Sequence, residues 1–336
     1  MAYPDNLHHV SDAAPGIARK RAGKAFVYLD PRGRRVRAAA VLRRVKALAI
    51  PPAWSQVWIC ADAKGHLQAT GRDARGRKQY RYHPRFREER ESAKYEHLFE
   101  VARALPRIRA AVTRDMATAG LTRDKVIATV VYLLEATMIR VGNADYARQN
   151  KSYGLTTMRD PHVAVVGAEM TFDFTGKSGR AWRIKLKDRR IARIVKACRD
   201  LPGRNLFQYL GEDDRRQRVH SSDVNDYLRR VSGRNVTAKD FRTWSATLMA
   251  ALTLAEAEAP ASEAAAKRII RAAIADVAER LGNTVAVCRK CYVHPAVIEA
   301  YLEETLARRF RRKGRKRKDG LEPEEAALLT LLKAGR

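Results

Sequence analysis

The sequence is short of four things, and each shortage narrows what the chain can be. It holds 4 cysteines in 336 residues, too few for a disulfide-built scaffold, and a chain of this length buries a sizeable core without one. Its first residues, Met1 to Asp5, show no basic segment running into an apolar one, so no secretory signal is expected and the thiols are expected to be reduced. It has no long hydrophobic run. The most apolar stretch, Val126 to Ile139, is interrupted by Glu135 and falls short of the ~20 residues a membrane span needs. Finally, it is short of acid, with 37 Asp+Glu against 67 Lys+Arg.

That last shortage leaves a formal net charge of +30. The hydrophobic share of 46% and charged share of 31% are ordinary globular values, so the chain is expected to fold, and its length suggests two domains. A large basic excess favours a polyanion as ligand. A single tail does not account for it: residues 308–318 carry nine of the charges, and removing those nine leaves +21 on the body. The sequence therefore reads as a soluble, intracellular, two-domain protein that meets nucleic acid.

The first part of the chain is β-rich. Three turns repeat one chemistry, Asp30 to Gly33, Asp62 to Gly65 and Asp73 to Gly76, with Asp at the first position and Gly at the fourth, as a type I turn favours. Strand-like segments flank them: Ala25 to Leu29, Val57 to Cys60, His66 to Arg72 and Lys78 to His83. Together they predict an antiparallel sheet of hairpins, with a short helix at Ala38 to Leu48 stopped before Pro51-Pro52. From Ser92 the period becomes helical. Helices are predicted at Lys94 to Asp115, perturbed at Pro106, and at Arg123 to Arg140 behind Thr122. Further ones are predicted at Asp223 to Val231, at Ala238 to Glu258 behind a Thr237–Asp240 capping box, at Glu263 to Leu281 with its stop at Gly282, and at Pro295 to Phe310. One hairpin interrupts them, Thr171 to Phe174 with Ala181 to Leu186, and Lys177 sits at its tip. The domain boundary is expected within Pro84 to Ser92.

Two motifs invite readings that their context does not support. Gly176-Lys177-Ser178 resembles the end of a phosphate loop, but the second glycine that loop needs is replaced by Thr171, and strands flank it on both sides. Cys288 and Cys291 form a Cys-x-x-Cys pair without the second pair of a four-ligand zinc site. They are read as reduced thiols that basic neighbours could make oxidisable. No dense cluster of carboxylates or histidines suits catalytic metals, which argues against a two-metal nuclease or polymerase. Phosphoryl transfer without a metal needs a nucleophile, cations on the non-bridging oxygens and an acid for the leaving oxygen. Tyr, Arg and Lys can fill these roles.

Five blocks in order then resemble the type IB DNA topoisomerases, in the compact poxvirus-like form also found in bacteria: Asp73 to His83, Ile139 to Tyr146 with Tyr153 to Thr156, Phe172 to Ser178, Lys239 to Trp244, and Leu281 to Pro295. The resemblance implies an α+β fold. A β-rich N-terminal domain (1–88), a mainly helical catalytic domain (89–310) and a basic tail (311–336) are expected, with the first two forming a C-shaped clamp around duplex DNA. It implies that Tyr292 attacks the scissile phosphodiester to give a 3′-phosphotyrosine. Arg140 and Arg242 would hold the non-bridging oxygens, and Lys177 would protonate the leaving 5′-oxygen, with Lys239 a possible assistant. Asn283 stands where many relatives carry His. Its amide can donate to a phosphate oxygen but cannot be cationic; alternatively it merely follows the Gly282 helix stop. Taken singly, each of these residues also has a structural reading: Tyr292 is one of 12 tyrosines, Arg140 could offset a helix dipole, Lys177 could be a solvated turn residue, and Arg242 could belong to a first helical turn.

Matching residues imply DNA contacts for Gln79, Tyr80 and Tyr82, and a phosphate contact for Tyr146. Period-2 alternation puts Gln79 and Arg81 on one face and Tyr80 and Tyr82 on the other, and cross-strand aromatic pairing is the structural alternative for the tyrosines. The resemblance also implies a bacterial, cytoplasmic, nucleoid-associated monomer that relaxes supercoils of either sign on double-stranded DNA, with no cofactor, no metal, no ATP and no membrane. The rivals are a tyrosine recombinase, which usually carries His at the position of Lys239, and a non-catalytic architectural DNA-binding protein.

Overall fold

The computed structural model describes residues 6–334 apart from 24, 212, 214 and 312–319. The chain divides into two compact units, Met1–Glu96 and His97–Arg336.

The first unit is a five-stranded antiparallel sheet made of β1 (Ile17–Ala22), β2 (Ala25–Leu29), β3 (Ser55–Ile59), β4 (Leu67–Arg72) and β5 (Lys78–Tyr82), in the order β2-β1-β3-β4-β5. Helix α1 (Ala39–Ala47) contributes Val45 to the core, with Ile17, Val57, Ile59 and Ala69. The turn chemistry explains two of the hairpin ends. The Asp30 carboxylate accepts from the N–H groups of Arg32 and Arg34, both at 2.9 Å. Asp73 does the same for Arg75 and Arg77 at 2.9 and 3.0 Å. In both turns the glycine is left-handed, with φ of 78° at Gly33 and 73° at Gly76, a type I turn closed by a glycine bulge. Strand β1 was not expected: it reads Ile-Ala-Arg-Lys-Arg-Ala, and only Ile17 is buried.

Helix α2 (Pro84–Met116) begins in the first unit and continues into the second. The charged stretch Pro84 to Ser92, where the domain boundary is expected, is helix, begun by Pro84 at the position where proline's missing donor costs nothing. Pro106 lies inside it. In the second unit α3 (Arg123–Thr137) is buried on almost all sides, as expected of a helix at the centre of a bundle. There follow α4 (Ala144–Asn150), the sheet β6 (Val163–Val166)–β7 (Glu169–Thr175)–β8 (Ala181–Lys187), α5 (Arg189–Asp200), and the hairpin β9 (Gln208–Leu210)–β10 (Arg216–Arg218). The chain closes with α6 (Ser221–Ser232), α7 (Ala238–Glu256), α8 (Glu263–Leu281), α9 (Val285–Cys291), α10 (Pro295–Leu302), α11 (Leu306–Arg311) and α12 (Pro323–Ala334). The fold is the expected α+β arrangement. Two spans near the C-terminus need correction. The helix expected over Pro295 to Phe310 is two helices, separated where Glu304 is left-handed at φ 55°. The segment 311–336, read throughout as a tail, ends in α12, whose Leu328, Leu331 and Leu332 are buried. Of the nine tail cations, those at 312–318 lie outside the described residues. Among the described residues no helix is long and apolar enough to cross a membrane.

A buried ion cluster holds α12 in place. Arg109 on α2 donates to Glu325 on α12 at 2.7 and 2.8 Å and to Glu135 on α3 at 2.8 Å. The Glu322 N–H donates to the same Glu325 carboxylate at 3.0 Å. Burial alone would raise the Glu325 carboxyl, but its bonds with Arg109 outweigh that and hold it below the ordinary glutamate range. Removing one partner of such a pair costs roughly 3 kcal/mol, so Glu325→Gln is expected to lower the unfolding free energy read from urea titration at neutral pH by that amount. A lowered folded-state value stabilises only where the carboxyl is ionised. The gap between wild type and variant should thus close as pH falls below the ordinary glutamate value of about 4.3.

Candidate active site

Arg140 does not sit on a helix. The span Arg123 to Arg140 proves too long, because Met138 takes the left-handed conformation at φ 55° and ends α3 there. The chain then runs extended, held by short turns opposite: the Arg140 carbonyl accepts the Leu155 N–H at 2.9 Å and the Val141 carbonyl the Thr156 N–H at 2.7 Å. The approach is so close that a Cβ on Gly154 would lie 2.4 Å from the Arg140 oxygen; this glycine is required by space. The Arg140 guanidinium donates to the Asn283 amide oxygen at 2.8 Å.

Arg242 lies on α7, and the start of that helix is fixed by its cap. The Asp240 carboxylate accepts from the Thr237 N–H and hydroxyl, both at 2.8 Å, and meets His97 at 3.3 Å. The carboxylate nearest Arg242 in sequence is thereby committed elsewhere. Arg242 itself is 4% exposed. It donates to the carbonyl of Met138 and, at 2.6 Å, to that of Leu281. These are the terminal carbonyls of α3 and α8, the negative ends of two helices. They satisfy hydrogen-bond donors without cancelling the charge.

Tyr292 terminates α9. Its carbonyl accepts the Thr247 hydroxyl at 2.9 Å, and the same hydroxyl accepts the His294 N–H at 3.3 Å. Its ring centroid lies 5.7 Å from the Arg242 guanidinium. Thr247 is one α-helical turn and a residue beyond Arg242, so α7 places both the cation and the backbone of the tyrosine. Sequence reasoning missed Thr247, which has no motif signature. Lys177 is exposed at the tip of the β7–β8 turn. That turn is tied to the Arg140 region by the Tyr153 N–H donating to the Thr175 carbonyl at 2.8 Å.

A cleft of about 410 Å³ is lined by Arg140, Tyr146, Lys177, Lys239, Arg242 and Tyr292, with Tyr153 and Ser152 beside them. Asn283 borders it through Arg140, and its amide nitrogen is buried without a hydrogen-bond partner. Burial pushes both guanidiniums below their ordinary value. At Arg242 the neighbouring Arg140 adds to this, while at Arg140 the phenols of Tyr292 and Tyr146 act the other way. Among the described residues neither arginine has a carboxylate partner. Buried arginines are ordinarily paired. Arg242 is buried and Arg140 half-buried, and two unpaired guanidiniums lining one cleft suit an oxyanion.

The two misleading motifs resolve physically. Gly176 precedes Lys177 in the hairpin turn, and a Cβ there would lie 2.5 Å from the Trp182 indole nitrogen. Cys288 is fully buried, and burial raises its thiol to about 11 against the opposing pull of Arg242; Cys291 is exposed. Among the described residues no three His, Cys, Asp or Glu side chains converge so as to hold a metal ion.

In the first unit, strand β5 alternates as expected. Gln79 turns towards Asp73, donating at 3.0 Å. Arg81 lies over Trp54, 5.6 Å from its ring, and reaches the Ala49 carbonyl at 3.1 Å. Tyr80 and Tyr82 are 46% and 38% exposed, with rings stacked 6.0 Å apart, and Lys78 lies 5.6 Å from the Tyr80 centroid. The tyrosines thus stack along one edge strand, and Tyr82 also meets the ring of His66 on the neighbouring segment at 6.1 Å.

Comparison with known proteins gives a consistent picture. Residues 83–318 match the family model of the eukaryotic DNA topoisomerase I catalytic core, and residues 25–73 match that of the bacterial DNA topoisomerase IB N-terminal domain. The chain is 32% identical over 293 residues to a DNA topoisomerase 1B of Acanthamoeba polyphaga mimivirus, spanning 85% of this chain and 87% of the relative. It is 24% identical over 292 residues to a DNA topoisomerase I of Monkeypox virus and a DNA topoisomerase 1B of Vaccinia virus, spanning 82% of this chain and 87% of each.

The unpaired arginines generate a prediction that needs no assay of activity. Sulfate should raise the melting temperature relative to chloride at matched ionic strength, by the equivalent of about 1 kcal/mol at five times its dissociation constant. In an Arg140→Leu variant the difference should shrink by that amount, to the general stabilisation that excluded sulfate gives any folded protein.

Proposed function

The chain belongs to the type IB DNA topoisomerases, enzymes acting on DNA, and we propose that Tyr292 is the nucleophile in its cleft, served by Arg140, Arg242 and Lys177. The Tyr292 hydroxyl attacks the scissile phosphorus. A bond forms from the phenolic oxygen to phosphorus, the bond to the 5′-oxygen breaks, and the phenolic proton is released. The 3′-phosphotyrosine keeps one strand on the enzyme. Lys177 gives a proton to the departing 5′-oxygen, so that strand leaves as a 5′-hydroxyl. Arg140 and Arg242 hold the two non-bridging oxygens as negative charge builds on them. Asn283 keeps Arg140 in place and turns its amide nitrogen to the phosphate. Lys239 assists the proton transfer, and Tyr146 contacts a neighbouring phosphate. Rejoining reverses these steps. One phosphodiester is exchanged for another of similar energy, so no ATP is consumed, and release of superhelical strain of either sign drives relaxation.

The observation that carries this reading is a buried and a half-buried guanidinium with no counter-carboxylate among the described residues, set beside a tyrosine whose backbone is anchored by the helix that carries Arg242. They supply the charge that a metal ion supplies in other phosphoryl transfers. We propose further that Tyr80 and Tyr82, with Gln79 beside them, contact duplex DNA, and that the protein works as a monomer on the nucleoid. Its affinity should fall steeply with salt, as contacted phosphates take back their counterions.

Supercoiled plasmid incubated in EDTA without ATP should become a ladder of relaxed topoisomers. Tyr292→Phe should bind DNA as wild type does and relax none; retained relaxation would remove Tyr292 from the nucleophile's role. Asn283→Ala should slow single-turnover cleavage by roughly 100-fold with binding kept, whereas an unchanged rate would make Asn283 a residue of the helix end only.

A further inference from the structure

The β7–β8 hairpin that carries Lys177 is wedged against the end of α8 by one side chain. Trp182, half-buried on β8, reaches in two directions where glycine leaves room. A Cβ on Gly176, the residue before Lys177, would lie 2.5 Å from the indole Nε1 and 2.7 Å from Cδ1; a Cβ on Gly282 would lie 2.2 Å from Cζ2. Phe174 stacks parallel to the indole at 6.4 Å, and the Arg180 guanidinium lies 5.1 Å from its centroid. Arg180 also donates to the Glu279 carbonyl on α8 at 2.9 Å. The hairpin turn and the α8 stop are therefore packed on the same ring.

The two sides of that contact are not equally firm. The end of α8 is held by its own backbone: the Gly282 N–H donates to the Glu279 carbonyl at 3.0 Å and the Asn283 N–H to the Ala278 carbonyl at 2.9 Å. Arg242 binds the Leu281 carbonyl from below at 2.6 Å. The turn carrying Lys177 has a single cross-turn closure, the Gly176 N–H to the Arg180 carbonyl at 2.7 Å, and one bond within it, the Gly179 N–H to the Gly176 carbonyl at 3.1 Å. Its Ser178 is left-handed at φ 67°, a conformation L residues adopt at a cost. The firm side thus positions the soft one.

We infer that Trp182 is a positioning residue for the acid step: its indole, seated between Gly176 and Gly282, holds the Lys177 turn in register with the arginine cleft. The inference rests on the reading of Lys177 as the proton donor. Loss of the ring leaves α8 and the arginines where they are and lets the turn drift, and misplacement of a catalytic group by about 1 Å costs on the order of 100-fold.

The test compares two scissile linkages in single-turnover cleavage of a duplex. One has the natural 5′-oxygen leaving group. The other has a bridging 5′-sulfur, which departs as a stable thiolate and needs no proton. Trp182→Leu should slow cleavage of the oxygen linkage by on the order of 100-fold and cleave the sulfur linkage at nearly the wild-type rate. DNA affinity should stay that of wild type. Trp182→Phe should restore part of the oxygen-linkage rate. Gly176→Ala, at a position with φ −93° and no backbone strain, should reproduce the selective defect by displacing the ring, which keeps the test open if Trp182→Leu folds poorly. Equal losses on both linkages, or none on either, would overturn the inference. The control is Lys177→Ala: if it cleaves the oxygen linkage at full rate, the acid assignment falls and this inference with it. If it shows the selective defect and Trp182→Leu and Gly176→Ala do not, only the inference falls.

Discussion

The structure of the catalytic unit depends on keeping two guanidiniums, one buried and one half-buried, adjacent and unneutralised. Each loses hydration and gains no carboxylate in exchange among the described residues, and each repels the other. What makes this tolerable is the choice of hydrogen-bond acceptor. Arg242 donates to Met138 and Leu281, the last carbonyls of α3 and α8, and Arg140 to the Asn283 amide oxygen just past the α8 stop. Helix C-termini offer partial negative charge and unsatisfied acceptors together. They hold the cations in place without cancelling their field. A carboxylate at any of these positions would stabilise the resting protein and neutralise that field.

That constraint explains the demands on α7. It carries Arg242 and, through Thr247, fixes the carbonyl of Tyr292. Its first turn is tied by Thr237, Asp240 and His97. Two residues past Arg242, Trp244 donates to Glu325 at 3.4 Å, joining it to the Arg109 cluster that seats α12. The helix is therefore held at its cap, at its middle and along its length, and the reactive groups on it inherit that rigidity. Lys177 is the exception, exposed on a turn of few bonds, which is why a bulky ring beside it matters.

Much of the fold was legible from local rules with physical causes. The Asp-to-Gly turns, the Thr237–Asp240 cap and the Gly282 stop all stand where residue chemistry places them. The rest was hidden for equally physical reasons. Strand β1 shows one apolar residue among basic ones and is held by pairing to β2 and β3. Helix α12 follows a run of like charge, so its leucines read as part of a tail. The end of α3 at Met138 depends on a left-handed residue that is not glycine, so nothing in the local sequence marks it, and Arg140 was taken for a helical residue. The members of the site were legible only as a set, since no single Tyr, Arg or Lys distinguishes itself by spacing. Thr247 and Trp182 act through backbone and packing, which leave no motif.

In the proposed reaction the two arginines meet the negative charge of a phosphodiester. The most direct test places a neutral methylphosphonate at the scissile position and compares wild type with Arg242→Ala. On the natural charged linkage the variant should be slower by on the order of 100-fold or more. On the neutral linkage, where no charge on that oxygen awaits a cation, most of the difference should vanish. If Arg242→Ala is as impaired on the neutral linkage as on the charged one, the arginine's role is not charge stabilisation, and the account given for the buried pair is wrong.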